Sequence, residues 1–157
     1  MIRHARPADL AVVLRLLKEF DDSLDDIQAS RAPVEVLARV LRYGIANRDP
    51  VLLAIEDGEA VGIVAWVNLP EQDSDQVNGL MLYVRDEFRN RGISRSLAQR
   101  AEEVSRDKGY RRYTCEVAAG NEAGLAAVKS RPGARLAGYT FVRDLVEEEK
   151  WQPHLHS

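Results

Sequence analysis

The chain has 157 residues, 22 basic and 25 acidic side chains, and a formal charge of −3. That length suits one hydrophobic core rather than two, and 45% apolar with 30% charged residues is ordinary for a globular chain. The charge balance excludes a strongly basic nucleic-acid binder, and a lone cysteine, Cys115, excludes an intrachain disulfide. Charges break every apolar run well before the ~20 residues of a membrane span, and the opening MIRHARPADL has no apolar leader. The expectation is a soluble, cytoplasmic, single-domain protein that contacts neither nucleic acid nor membrane.

Residues 2–6 read as a short strand. Pro7 then suits a first helical turn, and Asp9 its positive end. Leu10, Val13, Leu14, Leu17 and Phe20 recur at helical spacing, predicting an amphipathic helix over 8–20. A polar stretch runs to Pro33, and Leu37, Leu41 and Ile45 mark a second helix over 34–46. VLLAIE and EAVGIVAWV flank Asp57-Gly58, a two-residue hairpin signature, so 51–56 and 60–69 are adjacent antiparallel strands. VNGLMLYV, 77–84, is a further strand, apolar enough to be covered on both faces. Ile93, Leu97, Ala101 and Val104 place a helix over 92–108, ended by Gly109. RRYTCEV is a strand, Asn121 to Lys129 a short helix, and Pro132-Gly133 a break. ARLAGYTFVRDLV is strand-like, and a polar tail closes the chain. The order β-α-α-β-β-β-α-β-α-β(β) predicts an α/β (α+β) fold: one mixed, mostly antiparallel central sheet with helices on both faces.

The chemistry begins at YVRDEFRNRGISRSL. Arg85 to Arg100 hold five arginines and two acids, a local +3 in a chain of −3. Arg91 and Arg95 flank Gly92 at the start of a helix whose free N–H groups and dipole are already positive, so cations there need an anion to join them. Gly92 has no Cβ to hold an oxygen-rich group away from the backbone. Strand, glycine turn and helix N-terminus together make a phosphate-type anion site. The plainer reading is solvated arginines and a mere turn, for short glycine motifs match often.

These residues resemble motif A of the GCN5-related N-acetyltransferases (GNAT), [QR]-x-x-G-x-[GA], with Arg89, Asn90, Arg91, Gly92, Ile93 and Ser94 in its places and Leu82-Tyr83-Val84 as the strand before it. The resemblance implies acetyl-CoA as acyl donor. Backbone groups of Leu82 and Val84 would pair with its pantetheine arm, and backbone N–H groups from Arg89 to Arg95 would hold its pyrophosphate. Ser94 stands where Gly or Ala is usual, a mild departure. The resemblance covers roughly 2–147, making 1–148 a single acyltransferase-like domain with 149–157 as its tail.

Glu116, Val117 and Asn121 reproduce a second family spacing, a strand ending in Glu-Val with Asn five residues past the Glu. The family reading makes Asn121 a hydrogen-bond partner of the cofactor arm; independently, Asn121 suits the N-cap of a short helix, and both roles can hold. Glu116 is the general-base candidate, because an alkyl amine with a pKa of about 10 must lose a proton before it attacks a thioester. The plainer reading pairs it with Arg111 or Arg112. Where the family often has a tyrosine to protonate the departing thiolate, this chain has Val128 and Lys129. Tyr139 and Tyr83 are substitutes, or the thiolate leaves unaided, its pKa being near 8.5.

The resemblance implies that the first two helices and their connection line the acceptor pocket. Here Glu19, Asp21, Asp22, Asp25 and Asp26, with Glu71, Asp73 and Asp75 in a second loop, would favour a cationic amine, although charge runs are mostly solvated faces. The expected acceptor is an amine on a small molecule or peptide, and the resemblance leaves room for a homodimer. His4, His154 and His156 lack metal-ligand spacing, so no metal is expected. Cys115 reads as buried filler, and Trp66 and Val67 as core. The expected activity is N-acetyl transfer by direct attack of a primary amine; the alternative is a non-catalytic acyl-CoA-binding module of the same fold.

Overall fold

Side-chain alternation along the strands divides the molecule into three layers. The computed structural model describes residues 1–24, 32–70, 75–118, 120–139 and 141. In chain order the elements are β1 (Ile2–His4), α1 (Leu10–Leu24), α2 (Val34–Ala46), β2 (Val51–Glu56), β3 (Glu59–Val67), β4 (Gln76–Val84), α3 (Ile93–Asp107), β5 (Arg112–Cys115) and α4 (Glu122–Lys129). The strands form one sheet in the order β1-β2-β3-β4-β5, antiparallel throughout except for the parallel β4–β5 pair.

Because successive strand residues point to opposite faces, Val51 and Leu53 meet the buried stripes of α1 and α2, including Val13, Leu17, Leu41 and Ile45. Leu52 and Ala54 point the other way, to Leu97, Ala101 and Val104 of α3. The near-continuous apolar run of β3, which includes Trp66 and Val67, is buried on both faces by these two layers. Between β2 and β3, Asp57 (φ 50°) and Gly58 (φ 79°) both take the left-handed conformation that a tight hairpin turn requires.

Several boundaries shift. The first helix runs four residues beyond Phe20, since Asp21, Asp22 and Ser23 interrupt the apolar repeat without breaking the helix, and the Ser23 hydroxyl donates to the Phe20 carbonyl. Residues 7–9 form a separate 3₁₀ turn, secured by the Asp9 carboxylate, which accepts from the Arg6 N–H at 2.8 Å and pairs with Arg3 at 2.7 Å. Strand β4 is not covered on both faces: Leu82 is 37% exposed. No strand forms over 134–139. Leu136 and Tyr139 there, and Phe141 beyond them, are largely exposed, so no packing surface holds that segment extended. The rest of the expected strand, and the tail, lie outside the described residues.

A buried carboxylate ties the layers together. Asp49, 1% exposed in the α2–β2 turn, accepts from the Asn47 amide (3.0 Å), the Asn68 N–H (3.1 Å) and the Tyr110 hydroxyl (2.5 Å), and pairs with Lys108 at 3.2 Å. Burial, then the bond to Asp49, pushes the Tyr110 hydroxyl pKa upward, so Tyr110 stays a neutral donor.

Candidate active site

The site begins where the sheet comes apart. Strands β4 and β5 pair from Gln76–Arg112 to Gly79–Cys115 and no further. At that point the β3–β4 register passes from Trp66–Gly79 to Ala65–Met81, leaving Leu80 as an extra residue in β4. Such a bulge bends the strand that carries it. Gly79 contributes from below: a Cβ there would lie 2.6 Å from the Tyr113 ring, which instead fits against the glycine and stacks on Trp66 with centroids 4.1 Å apart.

Among the described residues, β4 beyond the bulge pairs with β3 alone. The Arg85 N–H donates to the Val61 carbonyl at 2.9 Å. By strand alternation the backbone groups of Tyr83 and Met81 also face β3, while those of Leu82 and Val84 face the opening. The Val84 carbonyl is already used there, accepting from Arg89 Nε at 2.9 Å. Leu82 and the Val84 N–H are left to offer a strand-like edge to an extended ligand.

The edge leads directly to Gly92. Asn90 (φ 62°) and Gly92 (φ 80°) are both left-handed, and Gly92 is the N-cap of α3 with no side-chain cap. Among the described residues, no hydrogen bond is donated by the backbone N–H of Asn90, Arg91, Gly92, Ile93, Ser94 or Arg95. The last three belong to the first helical turn, whose amides have no intrahelical acceptor. A Cβ on Gly92 would have no protein atom within 4 Å, so the space over these amides is open. Open, unpartnered and positive, this cradle fits a diphosphate.

Its arginines do not all face it. The Arg89 N–H is donated to the Asp86 carbonyl (3.3 Å), its guanidinium pairs with the Asp86 carboxylate (3.0 Å), and it lies over the Tyr83 ring. Arg89 therefore braces the loop. Arg91 donates to the Glu87 carbonyl and lies over Phe88. Arg85 makes a two-pronged pair with Glu19 (2.8 and 3.1 Å), joining α1 to the end of β4 and compensating one carboxylate of the acidic field. Asp25, Asp26, Glu71 and Asp73 lie outside the described residues. Tyr83 packs on Phe20, and burial, then Glu19, raises its hydroxyl pKa.

Glu116 is exposed and lies just past the end of β5, not within the strand, next to the last β4–β5 pair. Among the described residues it forms no ion pair with Arg111 or Arg112. Asn121 is the N-cap of α4, its Oδ1 accepting the Gly124 N–H at 2.9 Å. A Cβ on Gly124 would sit 2.6 Å from Asn121 Nδ2 and so displace the capping side chain. Cys115 is half-buried rather than buried, and Tyr139 is exposed beyond α4. Among the described residues no group of three His, Cys, Asp or Glu side chains could hold a metal ion, and no helix is long and apolar enough to cross a membrane. The sequence reading missed the Glu19–Arg85 link and the Asp49 knot, both made between residues far apart in the chain.

A five-stranded sheet that forks beside a bare run of amides offers an open strand edge leading into an anion-type site. The Acetyltransferase (GNAT) family model matches residues 15–130, and the chain belongs to that family. It is an acetyl-CoA-dependent N-acetyltransferase. Solved structures of like shape include a ribosomal-protein-alanine N-acetyltransferase from Brucella melitensis (25% identity, 83% of this chain and 82% of that one, TM-score 0.64). An aminoglycoside acetyltransferase from an uncultured soil metagenomic sample, in complex with sisomicin, is 19% identical over 92% of this chain and 95% of that one, with a TM-score of 0.68. The PaiA N-acetyltransferase from Thermoplasma acidophilum, in complex with coenzyme A, is 19% identical over 85% and 93%, with a TM-score of 0.61. No curated protein matches the chain in sequence.

Proposed function

We propose that the chain acetylates a primary amine, on a small molecule or a peptide N-terminus, by direct attack of the amine on the thioester. The observation that carries this reading is the run from the open edge of Leu82 and Val84 into the unpartnered amides of Asn90 to Arg95. The amides of Asn90, Arg91, Gly92, Ile93, Ser94 and Arg95 hold the diphosphate, with Arg89 and Tyr83 bracing the turn. Leu82 and Val84 align the pantetheine arm, and the Asn121 side-chain amide donates to it while Oδ1 caps α4. When bound, acetyl-CoA supplies an acetyl group activated as a thioester.

Glu116, at the mouth of the fork, takes the proton that an ammonium must lose before its nitrogen can attack, directly or through one water. The C–N bond forms as the C–S bond breaks, the sulfur departs as a thiolate, and the second proton shed by the acylated nitrogen neutralises that thiolate to the thiol. Holding amine and carbonyl in one opening removes much of the entropy of their encounter. The aminoglycoside and ribosomal-protein enzymes of like fold support an amine acceptor, and a lone thiol suits work in the reducing cytoplasm.

The test is Glu116→Gln, assayed for acetyl-CoA turnover against an amine panel and for coenzyme A binding by calorimetry. Turnover falls by roughly 10²-fold or more while affinity holds. An unchanged rate removes Glu116 from the base role. Absence of coenzyme A binding in the parent chain overturns the cradle assignment.

A further inference from the structure

At the sheet edge away from the fork, β1, the α2–β2 turn and the C-terminal half of α3 border an open cleft of about 420 Å³ that the acetyl-transfer site does not use. His4 from β1, Arg48 from the turn, and Arg100 and Lys108 from α3 line it, with Asp107 as the acid in its wall. The turn and the end of α3 thus bring three cations, Arg48, Arg100 and Lys108, around His4 of β1 in a chain whose net charge is −3.

Two of these cations are anchored. Lys108 Nζ donates to the Asn47 carbonyl (2.5 Å) and pairs with Asp49 (3.2 Å), and Arg100 pairs with Glu103 (2.9 Å). Arg48 is different. Its backbone is left-handed at φ 58°, which is uncommon for a residue with a side chain, and among the described residues its guanidinium has no hydrogen-bond or ion-pair partner. Asp49 is buried behind Lys108, so its charge is spent there together with Tyr110 and Asn68. The same three cations face His4, which is held below its ordinary pKa first by burial and then by Arg48, Arg100 and Lys108.

We propose that this cleft is a second anion site that takes the phosphoryl group of a small phosphorylated metabolite. Guanidinium forks and an ammonium match the several acceptor oxygens of a phosphoryl group. The volume exceeds what an inorganic phosphate fills, so the remainder of a metabolite has room. The site is separate from the cradle: Arg100 and Lys108 are about 12 and 24 Å along α3 from Gly92 at 1.5 Å per residue.

The His4 ring signals in NMR, assigned by their loss in His4→Gln, report occupancy without any turnover. Inorganic phosphate and ribose 5-phosphate are titrated into the full chain, with chloride at matched ionic strength as control. Both phosphates shift the His4 signals saturably, ribose 5-phosphate more tightly, and Arg48→Ser and Arg100→Ser each weaken binding by roughly fivefold or more. Gly92→Ala leaves the response intact. Non-saturating shifts that chloride reproduces, or undiminished binding in both arginine variants, overturn the site. Loss of the response in Gly92→Ala assigns the phosphate to the cradle and also overturns it. Equal affinity for the two phosphates overturns the metabolite and leaves inorganic phosphate as the ligand.

Discussion

Replacing Gly92 by alanine separates what the glycine does for the fold from what it does for the ligand. At φ 80° an L side chain is strained, at a cost of about 1–2 kcal/mol, or a few degrees in Tm for a chain of this size. No protein atom lies within 4 Å of the added Cβ, so no clash adds to that cost. The methyl projects into the open space over the amides of Asn90 to Arg95, where the proposed diphosphate would approach. If it displaces the ligand from two charge-assisted hydrogen bonds of about 1.5–3 kcal/mol each, affinity for coenzyme A falls by roughly 10²–10⁴-fold. Gly109 supplies the control, since it too is left-handed, at φ 89°, with nothing within 4 Å of an added Cβ, but it follows the far end of α3. Calorimetry and thermal melts on Gly92→Ala and Gly109→Ala should show similar losses of stability and a loss of binding in the first alone. A Gly92→Ala chain that binds coenzyme A within about threefold of the parent, or a Gly109→Ala chain that loses affinity equally, would refute the cradle.

Three further outcomes rest on other contacts. Asn121→Asp keeps an oxygen to accept the Gly124 N–H, so stability stays within about 0.5 kcal/mol, while loss of the amide donor raises the Kd for coenzyme A; unchanged affinity would confine Asn121 to capping. Asp49→Ala removes the acid partner of Lys108 and the acceptor of the Tyr110 hydroxyl and the Asn68 N–H and should cost about 3–5 kcal/mol in urea unfolding; a loss under about 1 kcal/mol would show that the knot is dispensable. Asp9 is held down to a pKa of about 2, chiefly by the hydrogen bonds from Arg3. Its folded-state pKa is the lower one, so its contribution is fully present above pH ~4 and is lost as pH falls through about 2. Asp9→Asn should therefore lower stability near neutrality by on the order of 1–2 kcal/mol after solvent screening, and the difference from the parent should vanish toward pH 2; a difference independent of pH would assign the effect to packing.

How far the sequence could be read depended on the distance over which each signal acts. Asp57-Gly58, Gly92 and Asn121 announce themselves because each solves a problem within a few residues: a positive φ or an orphan amide. The cradle was legible for the same reason. The fork was not, since its bulge at Leu80 and the fit of Tyr113 against Gly79 arise only once β3, β4 and β5 are assembled. Asp49 in Asn-Arg-Asp-Pro looks like an ordinary turn residue, and only the arrival of Lys108 and Tyr110 from α3 and beyond makes it a buried hub. Likewise Glu19 and Arg85 meet across 66 positions of chain. The pattern in 134–139 shows the converse: local strand preference does not form a strand without a surface to bury its side chains.

If the donor is held through peptide amides, as proposed, there is a consequence for how this site can change. Ile93, Ser94 and Arg95 each present the same N–H whatever side chain they carry, so mutation can alter the outer rim, its charge and its bulk while the grip beneath is conserved. The fixed requirements are torsional rather than chemical, and they concentrate at Gly92 and, less strictly, at Asn90, since asparagine tolerates left-handed backbone better than most residues. Such a site can drift far in composition and still hold its donor in the same pose, leaving the acceptor side free to follow whichever nitrogen selection favours.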